Sequence, residues 1–286
     1  MELNLLKGKP VADSICADIA SRVTRLNASG VSPCLAIVRT GNKPDDIYYE
    51  QSAMKRMNSV GIQVKSIVLD DNISQSMLEK HVSDLSADKD VHGILLLMPL
   101  PKHINEKNVR ACICPQKDID GLTEKSMLGL YEGTATGFAP CTPSAVMELL
   151  EYNNIDLCGK NVAIVGRSLV VGKPLSMLML NKNATVTICH SKTKELKAVC
   201  RSADIVVAAV GRAKMLTAEY INEGAIVIDV GINQDENGNM CGDADFDSVC
   251  TKAGAVTPVP GGIGSITTSV LAKHVIIAAE NTLMKG

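Results

Sequence analysis

The stretch GRSLVVGKP, Gly166 to Pro174, places two glycines six residues apart, after an apolar run of strand length and before residues of helical pattern. A turn of this kind can cradle a pyrophosphate. Gly166 and Gly172 let the backbone approach the anion, and a helix opening near Pro174 aims free N–H groups and its positive end at it, with Ser168 in the same turn. The next strand ends in ICHSKT, which offers His190, Ser191 and Lys192 and no carboxylate. NAD-binding units usually place an acid about 20 residues on, to hold the ribose hydroxyls. Hydroxyl and cationic groups at that place, with Arg167 in the first turn, suit the additional 2′-phosphate of NADP. Taken alone, the turn is equally well explained as an ordinary strand-to-helix loop carrying a solvated arginine.

A second stretch, DDIYYEQSAMKRMNSVGI, runs from Asp45 to Ile62. Its spacing predicts a helix over 45–59, with Asp45 or Asp46 able to cap it. The chain has two Phe, no Trp and five Tyr, so any aromatic surface that stacks a ligand comes from tyrosine. On a helix, residues i and i+4 share a face with Cβ atoms roughly 5–6 Å apart. A catalytic helix of this general design would want an amine one turn after its tyrosines. That position is Ser52 counted from Tyr48 and Ala53 counted from Tyr49, and neither is an amine. Lys55 is rotated about 120° off the face of Tyr49, and it lies roughly 10 Å along the axis from Tyr48.

These residues need a scaffold, and the surrounding pattern describes one. Strand-like apolar runs alternate with amphipathic helical stretches, the mark of an α/β protein with parallel sheets. In the first half, strands are expected at Cys34–Gly41, Val64–Asp70 and His92–Pro101, with helices at Asp45–Ser59 and Gln75–Leu85. Pro140 and Pro143 mark a boundary before a helix that runs to Tyr152. Strands at Asn161–Val165, Thr185–Cys189, Ile205–Val210 and Ala225–Val230 continue the alternation. The expected organisation is two α/β domains, one of residues 1–141 and 269–286, the other a Rossmann-like nucleotide-binding domain over 142–268. A last helix, Ile266–Lys285, is long enough to return to the first domain.

A balance of 29 Lys+Arg against 31 Asp+Glu gives no electrostatic case for nucleic acid or an anionic membrane surface. The start MELNLLKGKP lacks the pattern of a secretory signal, and no apolar run reaches bilayer length, so a soluble cytoplasmic protein is expected. Ten cysteines lie scattered without a C-x-x-C pair, and the five histidines show no ligand spacing. Reduced thiols and no metal are expected.

The words DKDVHGILLLMPLP, PQKDIDGLT, PCTPSAVMELL, VAIVGRSLVVGKPLSMLML, VTICHSKT, ADIVVAAVG, GAIVIDVGIN and VTPVPGGIGSIT follow one another along the chain. In that order and spacing, the chain resembles the methylenetetrahydrofolate dehydrogenase/cyclohydrolase family over nearly its full length. The resemblance implies oxidation of 5,10-methylenetetrahydrofolate to the methenyl form with NAD(P)+, followed in many members by hydrolysis to 10-formyltetrahydrofolate. It also implies two α/β domains forming a cleft, within a homodimer. Tetrahydrofolate one-carbon derivatives are the implied partners and NADP the implied cofactor. By resemblance, Tyr49 falls on the tyrosine that stacks on the aminobenzoate ring, and Asp120 on the carboxylate that holds the pterin. Pro258–Gly264, with Pro260, Gly261 and Gly262, corresponds to the loop that approaches folate and nicotinamide. Arg167 and Ser191 fall on the grip of the 2′-phosphate, in agreement with the direct reading. Gly166, Ser168, Gly172, Pro174, His190, Gly211, Gly231 and Ile232 complete the implied cofactor site. Taken singly, Tyr49 is also a plain helix residue, and Asp120 before Gly121 a plain turn residue.

Bifunctional members of the family carry a lysine four residues after the cleft tyrosine and a glutamine two residues before the proline of LMPLP. These positions hold Ala53 and Leu97 here. Oxidation asks little of side-chain acids or bases, because the two nitrogens flanking the methylene stabilise the cation and the cofactor takes the hydride. Hydrolysis needs protons moved, and a positioned group contributes about 100- to 10,000-fold to such a step. The expectation is an NADP-dependent methylenetetrahydrofolate dehydrogenase with cyclohydrolase activity absent or very weak. Two alternatives stay open: a bifunctional enzyme in which Lys55 or Asp120 handles the proton, and a non-catalytic folate- or NADP-binding protein. Ser265, where the family usually has Pro, is a milder departure.

Overall fold

The computed structural model describes residues 3–134 and 136–284. In chain order, the first elements are β1 (Asn4–Leu5), α1 (Gly8–Ala28), β2 (Cys34–Thr40), α2 (Pro44–Ser59), β3 (Gln63–Leu69), α3 (Gln75–Ala87) and β4 (Gly93–Leu96). There follow α4 (Glu106–Ala111), α5 (Glu124–Glu132), α6 (Cys141–Tyr152), β5 (Asn161–Val165), α7 (Gly172–Leu180), β6 (Thr185–Cys189), α8 (Leu196–Arg201) and β7 (Ile205–Ala208). The chain closes with β8 (Ile226–Asp229), β9 (Asn233–Gln234), β10 (Met240–Cys241), α9 (Phe246–Cys250), β11 (Ala255–Val256) and α10 (Thr267–Leu283). They form two compact units, Ser14–Cys141 with the segment from Thr268 onward, and Thr142–Thr267 with the segment up to Asp13.

The unit that carries Tyr49 is built on a three-stranded parallel sheet in the order β3-β2-β4. Every residue of β4 is buried, as a parallel strand covered on both faces requires. Ala36, Val38, Ile94 and Leu96 pack there with Leu78 and Val82 of α3. The C-terminal helix α10 belongs to this unit, where Arg22 of α1 forms a two-pronged ion pair with Glu280 at 2.9 and 2.6 Å. Helix α2 begins one residue earlier than its acids suggest. Lys43 is the N-cap, without a side-chain cap bond, Pro44 opens the helix, and Asp45 and Asp46 lie in the first turn, where their charge complements the helix dipole.

The second unit holds a six-stranded parallel sheet in the order β1-β11-β8-β7-β5-β6, with β9 and β10 as a separate antiparallel hairpin. One sequence expectation needs correction. Asn4 and Leu5, expected with the first domain, pair with Ala255 and Val256, so this strand forms the edge of the six-stranded sheet. A two-residue strand has too little periodicity to be read from sequence. Among the described residues, no helix is long and apolar enough to cross a membrane.

Candidate active site

In the six-stranded sheet the chain runs from β5 outward to β6, then crosses back to β7, so the strand order reverses between β5 and β7. Open α/β sheets receive ligands at such a crevice, beyond the carboxyl ends of the strands. The loops after β5 and β7 meet there so closely that a Cβ on Gly166 would lie 2.1 Å from the Ala209 carbonyl oxygen. Gly166 has φ +135°, in the region that favours glycine. A Cβ on Gly172 would in turn lie 2.1 Å from the Gly166 carbonyl oxygen, so the turn closes on itself through its two glycines. Ser168 is built into the turn, its hydroxyl accepting from Val171 N at 3.0 Å and its carbonyl from Lys173 N at 3.1 Å. Helix α7 begins at Gly172, two residues before Pro174, which sits in the first turn, where a missing N–H costs no helical bond.

Val165 pairs with Cys189, so Arg167 and Ser191 stand two residues beyond the same rung of adjacent strands, both exposed. His190 shapes the second turn. Its N–H donates to Thr193 Oγ1 at 2.9 Å, and its Nδ1 accepts from Lys192 N at 3.1 Å. Gly211 and the pair Gly231–Ile232 follow the neighbouring strands β7 and β8, which pair at Ala208 and Asp229. Sequence reasoning passed over two buried carboxyl groups beneath these loops, Asp229 and Asp243. Burial pushes the Asp229 carboxyl up to about 6 against the lowering effect of backbone N–H donors from Ala244, Asp243 and Gly231. No local signal marks them: only the fold brings Gly242 against Asp229, where a Cβ on the glycine would lie 1.9 Å from Oδ2.

The Pro258–Gly264 loop is tied down in the same unit. The Gly261 carbonyl accepts from Gly8 N at 2.8 Å, and a Cβ on Gly8 would lie 2.1 Å from the Gly262 carbonyl oxygen. Ser265 Oγ donates to that same Gly262 carbonyl at 2.6 Å, so the hydroxyl supplies a fixed contact to the loop. Pro260 belongs to this loop and is exposed, as is Ile232.

In the other unit, Tyr48 is 76% exposed while Tyr49 is half-buried. Burial, and then the nearby carboxyl of Asp120, raise the Tyr49 phenol above its ordinary range, so it remains a hydrogen-bond donor. Asp120 is itself raised above the usual carboxylate range by burial, while its Oδ1 accepts from Cys141 N at 3.0 Å. Its turn is built by a neighbour. Asp118, fully buried, accepts from Leu122 N and Thr123 N at 2.8 Å and from Ser126 Oγ at 2.6 Å. Gly121, with φ +63°, brings the chain against Phe138 and Pro140. The carbonyl of Ile119, one residue before Asp120, accepts from His274 Nδ1 at 2.8 Å and from Cys141 Sγ at 3.4 Å. The structure therefore brings Tyr49 and Asp120 together.

Ala53 and Leu97 are both buried, at 0% and 7% exposure. Ala53 lies with Glu50 and Met57 among the buried residues of α2, and Leu97 N extends the β2–β4 ladder by donating to Val38 O at 2.9 Å. Lys55 is exposed. Among the described residues, no three His, Cys, Asp or Glu side chains gather as a metal site.

Two family models match the chain. The catalytic domain of tetrahydrofolate dehydrogenase/cyclohydrolase matches residues 6–120, and its NAD(P)-binding domain residues 140–283. The bifunctional protein FolD of Carboxydothermus hydrogenoformans is 52% identical over 96% of both chains. The crystal structure of the bifunctional FolD enzyme from Campylobacter jejuni superposes with a TM-score of 0.96 at 38% identity, covering 98% of this chain and 100% of that one. The Trypanosoma brucei dehydrogenase-cyclohydrolase, solved with NADP cofactor and inhibitor, gives a TM-score of 0.92 at 33% identity over 99% of each chain.

Proposed function

The chain belongs to the tetrahydrofolate dehydrogenase/cyclohydrolase family, and we propose that it oxidises 5,10-methylenetetrahydrofolate with NADP+ while hydrolysing the methenyl product weakly or not at all. The unit from Ser14 to Cys141 with α10 is assigned to folate, and the unit around the six-stranded sheet to the cofactor. The residues fit the cofactor. Gly166 and Gly172 let the loop after β5 close against Ala209 and on itself at the start of α7, and Arg167 and Ser191, both exposed, stand two residues beyond the last paired rung of β5 and β6. NADP+ supplies the hydride acceptor when bound. The chain's own part is to orient and exclude water: Arg167 and Ser191 take the 2′-phosphate, Tyr49 gives the folate a flat platform, and Asp120 holds the pterin. Hydride loss from a carbon flanked by two nitrogens needs no side-chain base.

The observation that carries the loss of hydrolysis is the pair of apolar side chains at Ala53 and Leu97. Neither can accept or donate the proton that ring opening requires. A second reading, a fully bifunctional enzyme, is favoured by the description of its relatives as bifunctional, and it requires another group such as Lys55 or Asp120 to move the proton. The test is a paired assay on one preparation, NADPH formation with methylenetetrahydrofolate and loss of methenyltetrahydrofolate absorbance against buffer. The same reading takes the protein to act as a cytoplasmic homodimer, which light scattering on the eluting protein checks.

A further inference from the structure

Beneath the loops after β7 and β8 lies a buried construction that the reaction as described does not use. Three successive backbone N–H groups after β7, those of Val210, Gly211 and Arg212, donate to the Asp243 carboxyl at 2.6, 3.0 and 2.7 Å. From beyond β8, the Asn233 amide donates to the same carboxyl at 2.9 Å. Asp243 is fully buried, and its own backbone N–H is held by Asp229 Oδ1 at 3.0 Å, an oxygen that also takes Gly231 N at 2.9 Å. The other Asp229 oxygen takes Ala244 N at 2.8 Å. The fit leaves no slack, since a Cβ on Gly231 would lie 2.3 Å from the Asp243 carboxyl carbon. The Asp243 carboxyl therefore fixes the backbone of the loop after β7 and, through the Asn233 side chain, ties it to the start of β9.

The place of these loops says what they serve. With a 2′-phosphate held at the ends of β5 and β6 and a pyrophosphate at the start of α7, the remaining half of a dinucleotide extends across the reversal of strand order, over β7 and β8. We propose that Asp243, itself set by Asp229, is a positioning residue for the nicotinamide half of the cofactor, acting through the loops at Val210–Arg212 and Gly231–Asn233. This rests on the NADP reading above. Asp243 touches backbone and not the reacting atoms, so its effect is felt in how the nicotinamide half is held.

The test compares the whole cofactor with its adenosine half. Calorimetric titration of wild type, Asp243→Asn and Asn233→Ala with NADP+ and with adenosine 2′,5′-bisphosphate separates the two ends of the site. Asp243→Asn turns one acceptor oxygen into a donor facing N–H groups, and it is expected to weaken NADP+ at least about tenfold while leaving the bisphosphate within about twofold. Asn233→Ala, which removes one donor and no buried charge, is expected to weaken NADP+ by about threefold with the same indifference to the fragment. If Asp243→Asn does not fold, Asn233→Ala decides alone. Equal loss of both ligands, or loss of neither, overturns the assignment. Failure of the wild type to bind either ligand would instead overturn the NADP reading itself.

Discussion

Arg39 Nε and Glu50 Oε2 meet at 2.5 Å, with side chains only 12% and 7% exposed, and this pair lashes α2 to β2 one residue from Tyr49. The hydroxyl of Ser66 donates to the other Glu50 oxygen, and Arg39 also reaches Asn42 Oδ1 at 3.0 Å and the carbonyl of Gly41. Removing one member of a buried pair leaves the other charge without compensation. Glu50→Ala is expected to cost about 3–5 kcal/mol in denaturant unfolding. A loss below about 1 kcal/mol would mean that the pair does not anchor the helix.

Tyr49 is read as a platform, which is a property of its ring. Tyr49→Phe is expected to keep the folate KM within a few-fold, and Tyr49→Ala to raise it about tenfold at unchanged NADP+ KM. Steady-state kinetics with each substrate varied in turn check this, and equal damage by both substitutions would place the role in the phenol.

Arg167 is expected to set the preference between cofactors. Losing a charge-assisted contact to a phosphate typically costs about 1.5–3 kcal/mol, so Arg167→Ala should raise the NADP+ KM roughly 10- to 100-fold and leave that for NAD+ nearly unchanged. A parallel rise for both cofactors would show that Arg167 holds something other than the 2′-phosphate.

His274 gives a stability test with a definite sign. Burial lowers its imidazole to about 4, opposed by the hydrogen bond to the Ile119 carbonyl. The folded state therefore refuses a proton that the unfolded chain takes near pH 6.5, and the stability this group contributes is lost as pH falls from 6.5 towards 4. Between pH 7.5 and 5 the loss amounts to about 2 kcal/mol. Asp229, raised to about 6, works in the opposite direction over part of that window, so the comparison of wild type with His274→Asn is the readout. The variant is expected to lose about 2 kcal/mol less on acidification, and identical pH profiles would contradict the assignment.

What could be read from the residues depended on the range of the interaction. The strands Asn161–Val165 and Thr185–Cys189 were legible to the residue: the first is an apolar run between Lys160 and Gly166, buried after its first residue, and the second, TVTIC, alternates as a half-exposed edge strand does. Helix α1 falls outside the elements anticipated, although Val11, Ile15, Ile19 and Val23 recur at a helical period and are all buried. The pairing of Asn4 and Leu5 with Ala255 and Val256 spans the whole chain and leaves no local mark. Of the candidate site, the glycines of the turn, and Arg167 and Ser191 just past the ends of two strands, follow from local pattern. The roles of Asp118, Asp229 and Asp243 do not, since a buried acid that takes backbone N–H groups looks in sequence like any turn aspartate.

Whether one activity persists without the other is tested most directly by the paired assay run on wild type and on Ala53→Lys with Leu97→Gln. The wild type is expected to reduce NADP+ with methylenetetrahydrofolate and to consume methenyltetrahydrofolate no faster than buffer. The double variant is expected to raise hydrolysis by about 100-fold, the lower end of what a positioned proton-handling group contributes. Wild-type hydrolysis at a rate comparable to its own dehydrogenase turnover would contradict the account.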